Sequence, residues 1–168
     1  NGVDPCSGKK IGLSTGDPEK FRTFNELMNA FKEQLNYFID IKIKGNNIIQ
    51  KLYEQQIPVP FLSLFIDDCI ARGKDYNAGG ARYNTTYIQG VGIGTITNSL
   101  TAIKVHVFQK RSISLKGMLD ALQRNFESYE EFRNELVFQT PKYGNDNEKA
   151  DNQAVEVFNA FFDSVNGR

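Results

Sequence analysis

The chain has 168 residues, of which 40% are hydrophobic and 12% aromatic, enough for one globular domain with a core, which excludes a disordered tail. Its 20 basic and 20 acidic residues cancel, so no overall field attracts nucleic acid or an anionic membrane surface, and neither is expected as a partner.

The cysteines and the apolar runs indicate where the protein works. Cys6 and Cys69 form neither a CxxC nor any other metal-spaced pair, which is typical of a reduced, cytoplasmic protein. The sequence shows no signal-peptide pattern and no apolar run near the roughly 20 residues that span a bilayer. Because it begins without methionine and ends directly after an apolar helical pattern, we expect it to be a piece of a longer chain.

Helical patterns cover most of the sequence, opened by capping side chains and closed by proline or glycine. Helices are predicted from about 24 to 57, 61 to 72, 99 to 108, 115 to 126, 129 to 140 and 147 to 165. Asp17-Pro18 predicts a short helical start before the first of them. Gly45-Asn46-Asn47 indicates an irregularity within that long helix, and Gly73 is the expected left-handed cap of the second.

The stretch GGARYNTTYIQGVGIGT, at 79–95, differs from the rest of the chain. Its tyrosine, threonine and isoleucine content predicts an extended segment from about Arg82 to Ile88. Strands this scarce cannot complete a sheet, so we expect the segment to pair with strands from outside this sequence. The predicted fold class is therefore α/β, as a helix-rich part of something larger.

Alternate side chains of an extended segment share one face, which divides this stretch into two sets. The set with more hydrogen-bonding groups is the candidate wall of a substrate cavity, with plain structural packing as the alternative. Its members are Tyr83, Thr85, Tyr87 and Gln89.

The glycines at 90, 92 and 94 raise the possibility of a phosphate-binding loop. A dinucleotide fingerprint requires a third glycine where Thr95 stands, and an acidic residue about 20 positions later, which this sequence lacks. Ser7-Gly8-Lys9-Lys10 lacks both the upstream glycine and the hydroxyl of a P-loop. The glycines are better explained by close backbone approach in a buried strand or loop.

The remaining reactive side chains do not assemble a catalytic set. His106 is the single histidine, and its apolar neighbours predict a helix flank rather than a triad member. Asp67 and Asp68 would point about 100° apart on a helix, so solvated or capping roles are expected instead of metal binding. Cys69 is expected to be a small core residue and Cys6 a loop residue. The residues alone predict no catalytic, cofactor-binding or metal site in this chain.

Several separated stretches resemble the glycyl radical enzyme family, the pyruvate formate-lyase-like enzymes. They are NGVDP at 1–5, SGK at 7–9, TGDP at 15–18, DYNAGGARYNT at 75–85, QGVG at 89–92, SLTAIK at 99–104 and KYGND at 142–146. The run KDYNAGGARYNTTYIQGVGIGT is most similar to the trans-4-hydroxy-L-proline dehydratase branch. Asn147 and Asn152 depart from that branch, where more aspartate is expected.

The resemblance implies a larger parent built as a ten-stranded α/β barrel around a buried radical site. In this family an activating enzyme that uses S-adenosylmethionine and an iron-sulfur cluster installs a glycyl radical. The radical takes hydrogen from a cysteine, and the resulting thiyl abstracts hydrogen from the substrate. In the dehydratases a glutamate beside that cysteine assists loss of water. The implied partners are the rest of the parent chain, the activating enzyme and a small-molecule substrate, and a homodimer is a candidate assembly for the parent.

The family's reacting loops do not occur in this sequence. The family cysteine lies in Gly-Cys-x-Glu and the radical glycine in Arg-Val-x-Gly, whereas Cys6 reads Pro-Cys-Ser and Cys69 reads Asp-Cys-Ile. We therefore expect residues 1–168 to be one interior barrel segment without an internal domain boundary and without catalytic residues. The implied reaction of the parent is dehydration of trans-4-hydroxy-L-proline to pyrroline-5-carboxylate. A formate acetyltransferase or other glycyl radical lyase, and a non-catalytic helical interaction module, are the alternatives.

Overall fold

A computed structural model describes residues 2–4 and 6–168. Asn1 and Pro5, which belong to the first of the motifs above, lie outside the described residues. The α-helices are α1 (Phe24–Gln56), α2 (Pro60–Ser63), α3 (Cys69–Arg72), α4 (Ile93–Ile103), α5 (Leu115–Gln123), α6 (Glu130–Gln139) and α7 (Glu148–Val165). Two 3-10 turns (Pro18–Lys20 and Tyr76–Ala78) and a π-helix that continues α4 (Lys104–Gln109) complete the helical content.

Helix starts that carry a capping side chain agree with the sequence. Asp17, Ser114 and Asn147 each accept a backbone N–H bond from the first turn that follows, at 3.1, 3.1 and 3.2 Å. These bonds satisfy amide groups that a helix start leaves without an intrahelical partner. The predicted starts of the 3-10 turn, α5 and α7 are therefore confirmed.

Several predicted helices differ in their bounds or continuity from the structure. Helix α1 is continuous through Gly45, so the expected irregularity is wrong; it ends at Gln56, ahead of Pro58 as predicted. The segment expected over 61–72 is two short helices, because Asp68 has a φ of 73° and interrupts the helical backbone between them. Helix α6 begins only at Glu130, since Ser128 has a φ of 65°.

The chain divides into two compact units, and the first consists of the described residues up to Tyr37 together with Gly90–Arg168. Its core has two clusters of buried side chains, in which α4 and α7 contribute to the first and the π-helix and α5 to the second. The clusters are Met28, Leu100 and Val157, and Val107, Leu115 and Met118. Partly buried phenylalanine, isoleucine and leucine side chains, several of them on α1, pack against both clusters.

The second unit, Phe38–Gln89, has a much smaller core. Its buried hydrophobic side chains are Ile39, Cys69 and Ala81. Most of its large apolar side chains are exposed, as Phe61 and Phe65 on and beside α2 illustrate at 75% and 70% exposure. Compactness alone does not define a domain boundary, so the expectation of one segment without a boundary stays a prediction.

The structure has no strand over Arg82–Ile88, and the predicted pairing of this segment with strands from outside the sequence stays a prediction. Among the described residues, the strand-type pairing is one isolated antiparallel bridge between Val3 and Lys10. A strand exists only through hydrogen bonds to a neighbour, and the segment has none to pair with here. The described chain is helix-rich, which is the part of the predicted fold class that the structure confirms. Within these residues, no helix combines the length and apolar character that crossing a membrane requires.

Candidate functional site

The Gly79-Gly80 pair shapes the start of the distinctive stretch. Gly79 caps the second 3-10 turn with a φ of 81°, a left-handed conformation that favours glycine. Gly80 is limited by space, because a Cβ there would lie 2.1 Å from the carbonyl oxygen of Lys74. Its N–H donates to the carbonyl oxygen of Asp75 at 2.9 Å. The two glycines therefore fold the backbone tightly back on residues 74–75.

The carboxylate of Asp75 organises the same region. It accepts bonds from the Val59 N–H at 2.9 Å, the Ser63 hydroxyl at 2.8 Å and the Asn77 N–H at 2.9 Å. Burial alone raises the pKa of Asp75, but these donors together outweigh it and hold the pKa below its ordinary value. Asp75 thus stays ionised and ties α2 to the second 3-10 turn.

Arg82 fixes the end of the glycine turn through ion pairs. Its Nε and Nη2 donate to the two carboxylate oxygens of Asp68 at 3.1 and 2.9 Å, and its Nη1 lies 3.4 Å from Asp67. The hydrogen bonds that Arg82 donates lower the pKa of Asp68, and the same bonds raise the pKa of Arg82. Asp67 is solvated, with its side chain 76% exposed, and Asp68 lies at the N-cap of α3, although its side chain makes no capping bond there. Both carboxylates also pair with Arg82, which the sequence did not predict.

A cleft of about 400 Å³ opens beside this turn, entirely within the unit Phe38–Gln89. Amide, hydroxyl and tyrosine side chains line it, and none of the lining side chains carries a charge. The lining residues are Asn46, Ile49, Gln50, Tyr53, Tyr76, Asn77, Asn84, Thr85, Thr86 and Tyr87. Such a surface can bind a neutral polar group through hydrogen bonds and ring contacts.

Two of the four predicted wall residues line this cleft. Thr85 and Tyr87 line it, whereas Tyr83, at 85% exposure, and Gln89 do not. Thr86, from the opposite predicted face, also lines it and donates to Gln50 Oε1 at 2.9 Å. The alternation of faces fails because the segment is not a strand. Their role as a cavity wall stays a prediction for Tyr83, Thr85, Tyr87 and Gln89.

Sequence reasoning missed the contribution of α1 to the cleft. Asn46, Ile49, Gln50 and Tyr53 recur at spacings of three, one and three, which places them on one face of a helix. That spacing is readable from the sequence, although it does not say which segment lies opposite. The motif residues at 76–77 carry the second readable signal, since they belong to the run that resembles the glycyl radical enzymes.

The glycines at 90–94 lie at a helix start and not in a buried strand. Helix α4 begins at Ile93, about six residues before the start predicted near Ser99, because Gly92 adopts a left-handed φ of 86° at the N-cap. Gly94 is already inside the helix, and Val91 is 90% exposed. Gly90 lies beside the ring of Phe161, where an added Cβ would make an ordinary van der Waals contact at 3.4 Å, so the expected close backbone approach is not needed at this position.

The other candidate reactive groups lie apart from the cleft. His106 is completely buried in the π-helix and hydrogen-bonded at both ring nitrogens, and burial lowers its pKa. Cys69 is 2% exposed, which confirms it as a core residue, and Cys6 is exposed. Across residues 2–4 and 6–168, no three histidine, cysteine or acidic side chains come together as a metal site.

The distinctive turn, the side of the cleft formed by residues 76–87 and the helix start at Gly92 all fall in the runs that resemble one family. The family model for pyruvate formate lyase-like proteins matches residues 1–168, which is the whole chain. The chain belongs to this family.

Individual relatives refine this result. Trans-4-hydroxy-L-proline dehydratase of Clostridioides difficile is 55% identical over 168 residues, which is 100% of this chain and 21% of that protein. The crystal structure of hydroxyproline dehydratase from Clostridioides difficile, with trans-4-hydroxy-L-proline bound, matches with a TM-score of 0.96 at 55% identity, over 100% of this chain and 21% of the other. A glycyl radical enzyme from Archaeoglobus fulgidus matches with a TM-score of 0.86 at 34% identity, over 99% and 21%.

This pyruvate formate lyase-like chain therefore spans about a fifth of the length of the relatives it matches. The resemblance read from the motif runs is confirmed at the family level. The matched share also shows that most of each relative's chain has no counterpart among these 168 residues.

Proposed function

We propose that this chain is one interior segment of a glycyl radical dehydratase, a slice of its α/β barrel wall. The whole enzyme would convert trans-4-hydroxy-L-proline to pyrroline-5-carboxylate by thiyl radical chemistry. In that reaction the substrate loses its hydroxyl group and one hydrogen as water. The observation that supports this proposal is the 55% identity over the full chain to the hydroxyproline dehydratase, against 34% to another glycyl radical enzyme.

Neither cysteine of this chain fits the position of the reacting cysteine in such an enzyme. Cys69 is buried and stands between Asp68 and Ile70 in the sequence, Cys6 is exposed and follows Pro5, and neither is part of a Gly-Cys-x-Glu sequence. A glycyl radical installed by an activating enzyme would supply the hydrogen abstraction from elsewhere in the protein. The proposed role of this segment is to provide wall and packing, with the activating enzyme and the substrate as partners of the whole protein.

The exposed apolar side chains of the unit Phe38–Gln89 support a role within a larger body. Soluble monomers rarely expose large contiguous apolar surfaces. Here Leu64, Phe65 and Ile70 are 60–70% exposed within a seven-residue stretch. These apolar side chains are explained if further chain of the same enzyme covers them.

The activity can be tested on the full-length protein under anaerobic conditions. After treatment with the activating enzyme and S-adenosylmethionine, we expect pyrroline-5-carboxylate to form from trans-4-hydroxy-L-proline. Formation of formate and acetyl-coenzyme A from pyruvate would instead assign a formate acetyltransferase. Failure to form either product, with the glycyl radical present by electron paramagnetic resonance, would contradict both and favour another lyase.

Substitutions test the wall role of the cleft in the same assay. Thr85→Val and Tyr87→Phe each remove one hydroxyl that lines the cleft, and losing a hydrogen bond to substrate should lower kcat/KM about tenfold. Tyr83→Phe removes the same group from a side chain outside the lining and is the matched control. If the three variants retain equal kcat/KM, the cleft is structural.

A further inference from the structure

His106 is the most deeply buried titratable side chain of the described chain, at 0% exposure. Its Nδ1 lies 3.0 Å from Oε1 of Glu135 on α6, and its Nε2 lies 2.9 Å from the hydroxyl oxygen of Thr140. Thr140, at 5% exposure, ends α6 and precedes Pro141. One imidazole therefore connects the π-helix to both α6 and the turn that follows it.

The partners define which nitrogen carries the hydrogen. An ionised glutamate can only accept, so Nδ1–H donates to Glu135. In the neutral ring Nε2 then accepts, and the Thr140 hydroxyl donates to it. Both ring nitrogens of His106 and the Thr140 hydroxyl are hydrogen-bonded in that arrangement.

His106 lies within the π-helix itself. Its wider turns release backbone carbonyls from the usual α-helical bonds. Lys110 N–H donates to the Val105 carbonyl at 2.7 Å, and Ser112 N–H donates to the His106 carbonyl at 2.9 Å. Through its two ring bonds, the side chain of His106 links this segment of irregular backbone bonding to α6 and the turn after it.

Both positive and negative groups face the imidazole. Among the described residues these are Glu135 on α6, Lys110 at the end of the π-helix and Lys142 after Pro141. Lys110 Nζ lies 3.7 Å from the same Glu135 oxygen, and Lys142 Nζ donates to the Leu136 carbonyl at 2.8 Å. The two ammonium groups offset the support that Glu135 gives to a protonated ring.

We propose that His106 is a pH-sensitive lock, which holds the π-helix against α6 when its ring is neutral and releases it when the ring is protonated. On protonation Nε2–H becomes a donor facing the Thr140 hydroxyl. That hydroxyl must turn to accept, and its own hydrogen then loses its acceptor inside a buried site. The released element is the π-helix together with the end of α6.

The sign of the pH dependence follows from linkage. Burial lowers the pKa of His106 below its ordinary value of 6.5 in the closed state. The open state therefore binds the proton more readily, and the closed state loses stability as the pH falls below about 6.5. Above that pH both states hold a neutral ring, and the contribution of His106 to closing is complete.

Hydrogen–deuterium exchange of the full-length protein measures this opening directly. After correction for the intrinsic exchange rate, we expect the opening constant of peptides covering 104–112 and 134–142 to rise between pH 7.5 and pH 5.5. One proton limits the rise to about tenfold per pH unit. Peptides from α7 should stay flat, because ordinary carboxylates do not titrate in this range.

Two variants test whether His106 is the group whose titration opens the segment. His106→Gln retains an amide donor and acceptor but cannot titrate, so its opening should not depend on pH in this range. Glu135→Gln keeps the acceptor oxygen but removes the charge that supports the protonated ring, so acid-induced opening should persist and extend to lower pH. The lock would be overturned if the opening constant of the wild-type protein did not change with pH, or if its pH dependence persisted in His106→Gln. It would also be overturned if Glu135→Gln abolished the pH dependence, because Glu135 would then be the titrating group.

Discussion

Each residue of the GGAR sequence at 79–82 meets a different physical requirement. Gly79 needs a left-handed backbone, Gly80 needs the absence of a side chain, and Arg82 needs two carboxylates placed before it in the chain. Ala81, at 3% exposure, gives its carbonyl to the Arg72 guanidinium at 2.9 Å. Each position therefore constrains its own residue type: glycine at 79 and 80 for different reasons, and arginine at 82 for its ion pairs.

Gly80→Ala tests the steric requirement alone, since Gly80 does not have a positive φ. The added Cβ would meet the Lys74 carbonyl oxygen at 2.1 Å and the Asp75 oxygen at 3.0 Å, and backbone atoms cannot rotate away. We expect a loss of about 1–3 kcal/mol in the free energy of unfolding, measured by urea denaturation. Gly90→Ala is the matched control, because its Cβ meets Phe161 at an ordinary 3.4 Å. Equal stability of the two variants would show that the turn is not tightly closed.

At the scale of whole elements, the backbone conformation of a glycine determines whether it lies inside a helix or at its start. Gly45 and Gly92 both have open space where a Cβ would be placed, but they differ in φ. Gly45 lies inside α1, whereas Gly92 has a φ of 86° at the N-cap of α4. The pair therefore separates conformational preference from packing.

Alanine at these two glycines should change stability in opposite directions. Gly45→Ala should raise the free energy of unfolding by about 0.5–1 kcal/mol, since alanine favours a helix interior. Gly92→Ala should lower it by about 1–2 kcal/mol, because a left-handed backbone is costly for a residue with a Cβ. Thermal unfolding of both variants checks this. A stabilising Gly92→Ala would mean that α4 begins elsewhere, at the later cap that the sequence pattern predicts.

Helices whose ends depend on local chemistry were predictable from the sequence. The side chains of Ser114 and Asn147 cap the helices that follow them, and Pro58, which lacks an N–H, limits α1. The break at Asp68 was not predictable, because its left-handed φ accompanies ion pairs with Arg82, fourteen residues later. The cleft shows the same limit: Thr85 and Tyr87 could be chosen from the sequence, but their neighbours on α1 come from a segment far earlier in the chain.

At the scale of the whole molecule, the two units differ in how much apolar surface they bury. The first unit holds both hydrophobic clusters, whereas the unit Phe38–Gln89 leaves Phe61 and Phe65 exposed, with their rings 5.2 Å apart and packed edge to face. A barrel slice and an independent interaction module predict different environments for these rings. In the slice, further chain of the same enzyme covers them permanently.

Phe65→Ala separates the two interpretations when it is compared in the full-length protein and in residues 1–168 expressed alone. If further chain covers the ring, the variant should lose about 3–5 kcal/mol in the full-length protein, as for a core phenylalanine. In the separate segment the ring is 70% exposed, so the loss should be about 1 kcal/mol or less. Met28→Ala, at a position 1% exposed, should cost about 2–5 kcal/mol in both and controls for the measurement. A small and equal effect of Phe65→Ala in both proteins would instead leave this face free in the whole enzyme and favour the interaction module.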